Sequence, residues 1–186
     1  MAYGEIIMGY SGIGKTTLAR EPMSIRVVDL ESSPFTKFGK PDNWDKIYCD
    51  IAMNLANLGF AVFVSTHKEV QNRFKEIAIE EYKKSKEDEK NKRHQFVVIC
   101  PSLDLKYKWV EKLAKRYDET KDPKDERAYF RVRDNYDEDI KNLSESGFFV
   151  HILKEFDYQL DEEIVGARIG FMQKQRENWN YGFIEE

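Results

Sequence analysis

Nine residues near the start of the chain, GYSGIGKTT from Gly9 to Thr17, have types and spacing suited to holding a phosphate. They spell G-x-x-x-x-G-K-[ST]. Gly9, Gly12 and Gly14 free the backbone so that N–H groups can converge on an anion with no Cβ in the way. Tyr10, Ser11 and Ile13 supply further loop amides. Lys15 is placed to reach the β- and γ-phosphates of a nucleotide, and Thr16 to set its hydroxyl on Mg²⁺. Thr17 continues into a helix whose positive end faces the anion. The loop follows the short apolar run EIIM and precedes KTTLAR, so the motif lies between a strand and a helix.

A phosphate can be transferred, hydrolysed or merely held, and other residues bear on which. In VVDLESSPF, Asp29 closes a β-branched run at the end where open α/β sheets bind ligands. It is suited to orienting an acceptor hydroxyl or holding a Mg²⁺-bound water; capping a turn is the plain structural alternative. Glu31, two residues on, shares that end if the strand persists. The apolar run AVFVSTH ends in Ser65, Thr66 and His67, without the carboxylate that a motor or switch NTPase places there. No N-K-x-D guanine motif occurs. Basic residues gather later, with Lys112, Lys115 and Arg116 on one helix and then Arg127, Arg131 and Arg133. Arg127 and Arg131, at i and i+4, would point the same way on a helix. Arginines on a mobile cover suit phosphoryl transfer, because they clamp charge while water is excluded. A solvated face paired with Asp122, Asp125 and Glu126 is the alternative.

The elements that must position these groups alternate. EIIM (5–8), SIRVVDL (24–30), FAVFVS (60–65), QFVVIC (95–100) and FFVHIL (148–153) read as strands, the third and fourth as runs buried on both faces. Between them, residues 43–58 place Trp44, Ile47, Tyr48, Ile51, Leu55 and Leu58 on one helical face, closed by Gly59. A second helix turns Val70, Phe74, Ile77 and Tyr82 inward, and its extension KKSKEDEKNKRH reads as a solvated end. A third carries Leu105, Trp109, Leu113 and Tyr117. The stretch after it is polar and turn-prone, with helical character after Asp134, and DEEIVGARIGFMQKQ reads as a closing helix. Trp44 and Tyr48 read as core aromatics. Lys37 and Lys40 read as surface lysines, and NWNYGFIEE as a tail packing on the domain or a partner.

The chain has 186 residues, one domain's worth, at 41% hydrophobic and 34% charged. A net charge of -4 gives no global pull towards nucleic acid. No apolar run is long enough for a membrane helix. Cys49 and Cys100 lie in apolar elements and form no C-x-x-C pair, consistent with buried thiols in a cytosolic protein. The three histidines are widely spaced, so no zinc site is expected. The alternation of strands and helices predicts a single α/β domain over 1–186 with a mainly parallel sheet.

The order of these parts resembles the nucleoside-monophosphate-kinase-like branch of small P-loop kinases, especially the phage-type deoxynucleotide kinases. The matching pieces are GYSGIGKTT, VVDLESSPF, VFVSTHKEVQNRF, in which Arg73 follows strand three, and VVICPSLDLKYKWVEKLAKRY. The resemblance implies a three-layer P-loop NTPase fold with five strands in the order 2-3-1-4-5. It also implies ATP on the loop and an arginine-bearing helical lid over roughly 116–146. A small acceptor, foremost a (deoxy)nucleoside monophosphate, would lie between Asp29, the helix after Asn43, and Ser65. Lys15, Asp29, Arg116, Arg127 and Arg131 would be catalytic, and Thr16 and Asp29 would serve the metal. The Asp-Gly-x-Pro-Arg signature of adenylate kinases is absent. Two other classes are to be weighed: a P-loop ATPase or regulator acting on a protein partner, and a polynucleotide 5′-kinase, which the acidic pI disfavours. The sequence does not decide between monomer and homodimer.

Overall fold

The computed structural model describes residues 4–20, 26–36, 39, 41–87, 94–156 and 182. Among them five strands form one all-parallel sheet: β1 (Glu5–Gly9), β2 (Val27–Asp29), β3 (Ala61–Val64), β4 (Gln95–Pro101) and β5 (Phe149–Leu153). Their order is β2-β3-β1-β4-β5, as the resemblance implied. Ile6 of β1 sits in register between Val62 and Phe96, and Met8 between Val64 and Val98. Every residue of β1, β3 and β4 is buried, which explains why these segments are continuous apolar runs. The edge strands β2 and β5 are mostly half-buried. The chain leaves β1 towards one edge of the sheet and β4 towards the other. A crevice is therefore expected beyond the carboxyl ends of these two neighbours.

The described helices are α1 (Lys15–Leu18), α2 (Ser33–Thr36), α3 (Trp44–Asn57), α4 (Lys68–Glu87), α5 (Lys106–Thr120) and α6 (Pro123–Ser144), with a 3₁₀ turn at Leu103–Leu105. Helix α3 packs on β1 and β3, and α6 on β4. Helices α5 and α6 pair as a hairpin turned at Lys121, whose φ is +51°.

Three expectations need correction. The buried face of α3 is Trp44, Tyr48, Cys49, Ala52 and Ala56, whereas Ile47, Ile51 and Leu58 are 42%, 37% and 67% exposed. Small residues let this helix approach the sheet closely, and that requirement outweighs the hydrophobicity of its isoleucines. Helical character begins at Pro123, not after Asp134. Asp122 caps the helix by accepting the Lys124 N–H at 2.7 Å, Pro123 occupies the first turn, and Asp125 and Glu126 face the positive end. Strand two is also shorter than read. The proposed closing helix, Lys37, Lys40, the end of KKSKEDEKNKRH before His94, and the tail except Gly182 lie outside the described residues. No described helix is long and apolar enough to cross a membrane.

Candidate functional site

The loop from Gly9 to Thr17 leaves the buried end of β1 at the crevice. Its first amide is used structurally, Tyr10 N–H donating to the Ile99 carbonyl at 3.0 Å. From Ser11 to Thr16, by contrast, no backbone N–H donates to a protein acceptor among the described residues. Gly12 and Gly14 take φ of +85° and +99°, the left-handed conformation that lets successive amides turn into one concavity. Buried N–H groups nearly always find partners, so a run of unpaired ones in a concavity is an arrangement that can take an anion. The helix following the loop, α1, is only four residues long. The attraction for an anion thus rests on the amides and on Lys15, more than on the helix dipole expected from the sequence.

Lys15 folds back along the loop, its Nζ donating to the carbonyls of Gly9 at 2.7 Å and Tyr10 at 3.2 Å. A Cβ on residue 9 would lie 2.8 Å from the Lys15 Cδ and 2.6 Å from the Ile13 Cδ1, so the fold-back needs glycine there. Burial lowers the pKa of the Lys15 ammonium to about 8, against the opposing pull of Asp29 and Glu31. Thr16 donates its hydroxyl to the Asp29 carboxylate at 2.6 Å. The two residues assigned to the metal are thus neighbours although 13 positions apart in the chain. A hydroxyl beside a carboxylate is a hard oxygen pair that suits Mg²⁺, an ion that keeps waters and uses substrate phosphates for the rest of its shell. No cluster of three or more His, Cys, Asp or Glu able to hold a metal occurs among the described residues. Within the loop, Tyr10 and Ile13 are buried, so these two can offer a ligand only backbone.

On the far side of Asp29, Tyr48 is the organising residue. Its hydroxyl donates to the Leu30 carbonyl at 2.6 Å and accepts from the Ser65 N–H at 2.8 Å. One buried phenol therefore ties the carboxyl ends of β2 and β3 together, with Phe35 set edge-on against its ring. Burial raises the phenol's pKa, so it acts as a neutral hydrogen-bonding strut. Trp44 lies against His67. Cys49 and Cys100 are free and buried, with thiol pKa values pushed up to about 12 and 11.

The three arginines chosen from the sequence separate. Asp29, Glu31, Lys124 and Arg116 are among the charges acting on Lys15, which puts Arg116 within electrostatic reach of the loop lysine. It pairs with Asp125 at 2.7 Å. Arg131 makes a two-pronged contact with Asp139 at 3.1 and 3.3 Å instead of standing free over the site. Arg127 is exposed and has no ion pair among the described residues. The two do not act as the matched pair that i,i+4 spacing suggested, because Asp139 draws Arg131 along α6. Lys124, which sequence reasoning missed, joins Glu31 in an ion pair and so bridges the tip of the hairpin to the end of strand two. The sequence marks Tyr48 as a core aromatic and Trp109 as one of the spaced residues of a helix. Both are buried, but each turns a polar edge onto the site, Trp109 through an indole N–H donated to the Ser11 carbonyl at 2.7 Å.

No protein-family model matches the chain, and no curated protein matches it.

Proposed function

We propose that the protein is an ATP-dependent phosphotransferase of the small P-loop kinase type, with a (deoxy)nucleoside monophosphate as acceptor. The observation that carries this reading is the run of unpaired amides from Ser11 to Thr16, flanked by Lys15 and by the Thr16–Asp29 contact. The amides and Lys15 would hold the β- and γ-phosphates of ATP. Thr16 and Asp29 are the residues that would hold Mg²⁺, whose chemistry is to neutralise phosphate charge. In transfer, an ionised phosphate oxygen of the acceptor would bond to the γ-phosphorus as the bond to the bridging oxygen breaks and ADP leaves, so no proton has to be removed from the acceptor.

Transfer is favoured over hydrolysis by the groups near the loop. Strand three is followed by Ser65, whose N–H is held by Tyr48, and offers no carboxylate there to set a water. The hairpin carries Arg116 towards Lys15 and reaches Glu31 through Lys124, as a cover that clamps charge and excludes solvent would. Arg116 would exchange Asp125 for the moving phosphoryl group. Buried free thiols suit a cytosolic setting.

The test is a panel of nucleoside and deoxynucleoside monophosphates incubated with ATP, read by ADP release. One or more acceptors should raise ADP release well above the acceptor-free rate. Normal ATP binding without acceptor-dependent release sinks the proposal, and hydrolysis stimulated by a protein partner would favour the ATPase class. Asp29→Asn should lower turnover by about a hundredfold while changing ATP affinity far less, since it removes charge needed during transfer.

A further inference from the structure

The Trp109 indole has a role that burial alone does not require. It is 1% exposed and its N–H reaches 98 residues back along the chain to the Ser11 carbonyl. The Ser11 carbonyl and the Gly12 N–H belong to one planar trans peptide, so they point in opposite directions. Holding the carbonyl towards α5 turns the Gly12 N–H away from α5. Gly12 has no Cβ to resist rotation of that peptide, and its φ of +85° lies where glycine moves most freely. A rotated peptide would withdraw one donor from the nest and present a carbonyl lone pair in its place. The indole also fills the space beside Gly12, where a Cβ would lie 3.1 Å from Nε1.

We propose that Trp109 is a positioning residue for the nucleotide phosphates: its indole N–H fixes the Ser11–Gly12 peptide so that the Gly12 amide faces the anion. This deepens the kinase reading and rests on it. Trp109 and Arg116 lie seven residues apart on α5, two turns along the same face and about 10 Å apart. The helix that sets the loop's donor thus also carries an arginine, Arg116, whose charge acts on Lys15. A shift of α5 as the cover closes is felt at both points.

The experiment removes the N–H and keeps the ring. In Trp109→Phe, the KM and Kd for ATP should rise about tenfold, the worth of one well-placed hydrogen bond, while the KM for the acceptor stays within twofold. In ¹⁵N-labelled protein the Gly12 amide resonance should move strongly on adding ATP to the wild type and weakly in the variant. If Trp109→Phe fails to fold, benzothienylalanine placed at 109 by codon suppression keeps the bicyclic shape and lacks only the donor. Unchanged ATP affinity in a folded variant overturns the positioning role and leaves the kinase reading standing. A parallel rise in both KM values with a lowered Tm overturns it as well, by showing a merely structural part. If wild-type protein binds no ATP, the kinase reading itself has failed, and this proposal with it.

Discussion

The glycine loop and the α5–α6 hairpin treat polar groups in opposite ways. In the loop, amides from Ser11 to Thr16 have no protein acceptor, and Lys15 is desolvated enough to bring its pKa to about 8. In the hairpin, cations are matched to anions: Arg116 to Asp125, Lys121 to Asp118, Arg131 to Asp139 and Arg133 to Asp134. The difference separates readiness from reserve. The backbone amides from Ser11 to Thr16 would engage an anion with little rearrangement, because among the described residues they lose no protein partner in doing so, whereas Lys15 would have to leave the Gly9 and Tyr10 carbonyls. Arg116 would have to break its pair with Asp125 first, so in the proposed transfer its contribution would come late, when developing charge makes the exchange favourable.

The contrast is tested hardest at Lys15. Lys15→Ala should cut phosphoryl transfer by about a thousandfold, a loss typical of removing a preorganised charge from the reacting phosphate. Circular dichroism should show the fold intact, since among the described residues the lysine side chain bonds to loop carbonyls alone. A loss under tenfold would mean that the ready groups of the loop are not the ones that matter.

Next in size is a pH effect. Phosphate favours the charged ammonium, so ATP affinity should be flat below pH about 8 and fall by up to about tenfold per unit above it. Lys15→Ala should abolish that inflection. The accompanying stability term has the opposite sense. The folded pKa of about 8 lies below the ordinary 10.5, so the unfolded chain binds more protons between these values. Burial of Lys15 therefore costs stability at neutral pH, and that cost lapses as pH rises through the window. Titration calorimetry across pH 7 to 9.5 reads the first effect and thermal melts read the second.

The two regions were unequally legible in the sequence. The loop announces itself locally, since glycines, lysine and threonine at fixed spacing make up the proposed phosphate site, and the apolar run before it reads as a buried strand. Asp29 was equally readable, as an acid closing a β-branched run. The hairpin hid its main features in contacts across the chain. Lys124 meets Glu31 across 93 residues and Trp109 meets Ser11 across 98, and no periodicity reports such pairings. Two misreadings had local remedies. D-P-K-D-E from Asp122 is a helix start with cap, proline and first-turn acids, disguised by its polarity. On α3, weighing size as well as hydrophobicity would have set Cys49, Ala52 and Ala56 against the sheet and left Ile47 and Ile51 outside.

The smallest effect concerns an ion pair that joins the two sides of the crevice, Lys124 with Glu31. Both side chains are substantially exposed, at 51% and 38%, so water screens the attraction and holding two mobile chains together opposes it. A double-mutant cycle of Glu31→Gln and Lys124→Ala should return a coupling of about 0.5 kcal/mol in thermal stability, vanishing at high salt. A weak pair is what a cover requires: strong enough to bias the tip towards the crevice, and weak enough for an acceptor to enter. The single variants should then change the acceptor's KM by about twofold, with turnover nearly untouched. A coupling above about 2 kcal/mol that survives salt would contradict this, since it would make the contact a structural brace. The hairpin would then resemble the loop in being fixed beforehand, and closure could not be the step at which Arg116 changes partner.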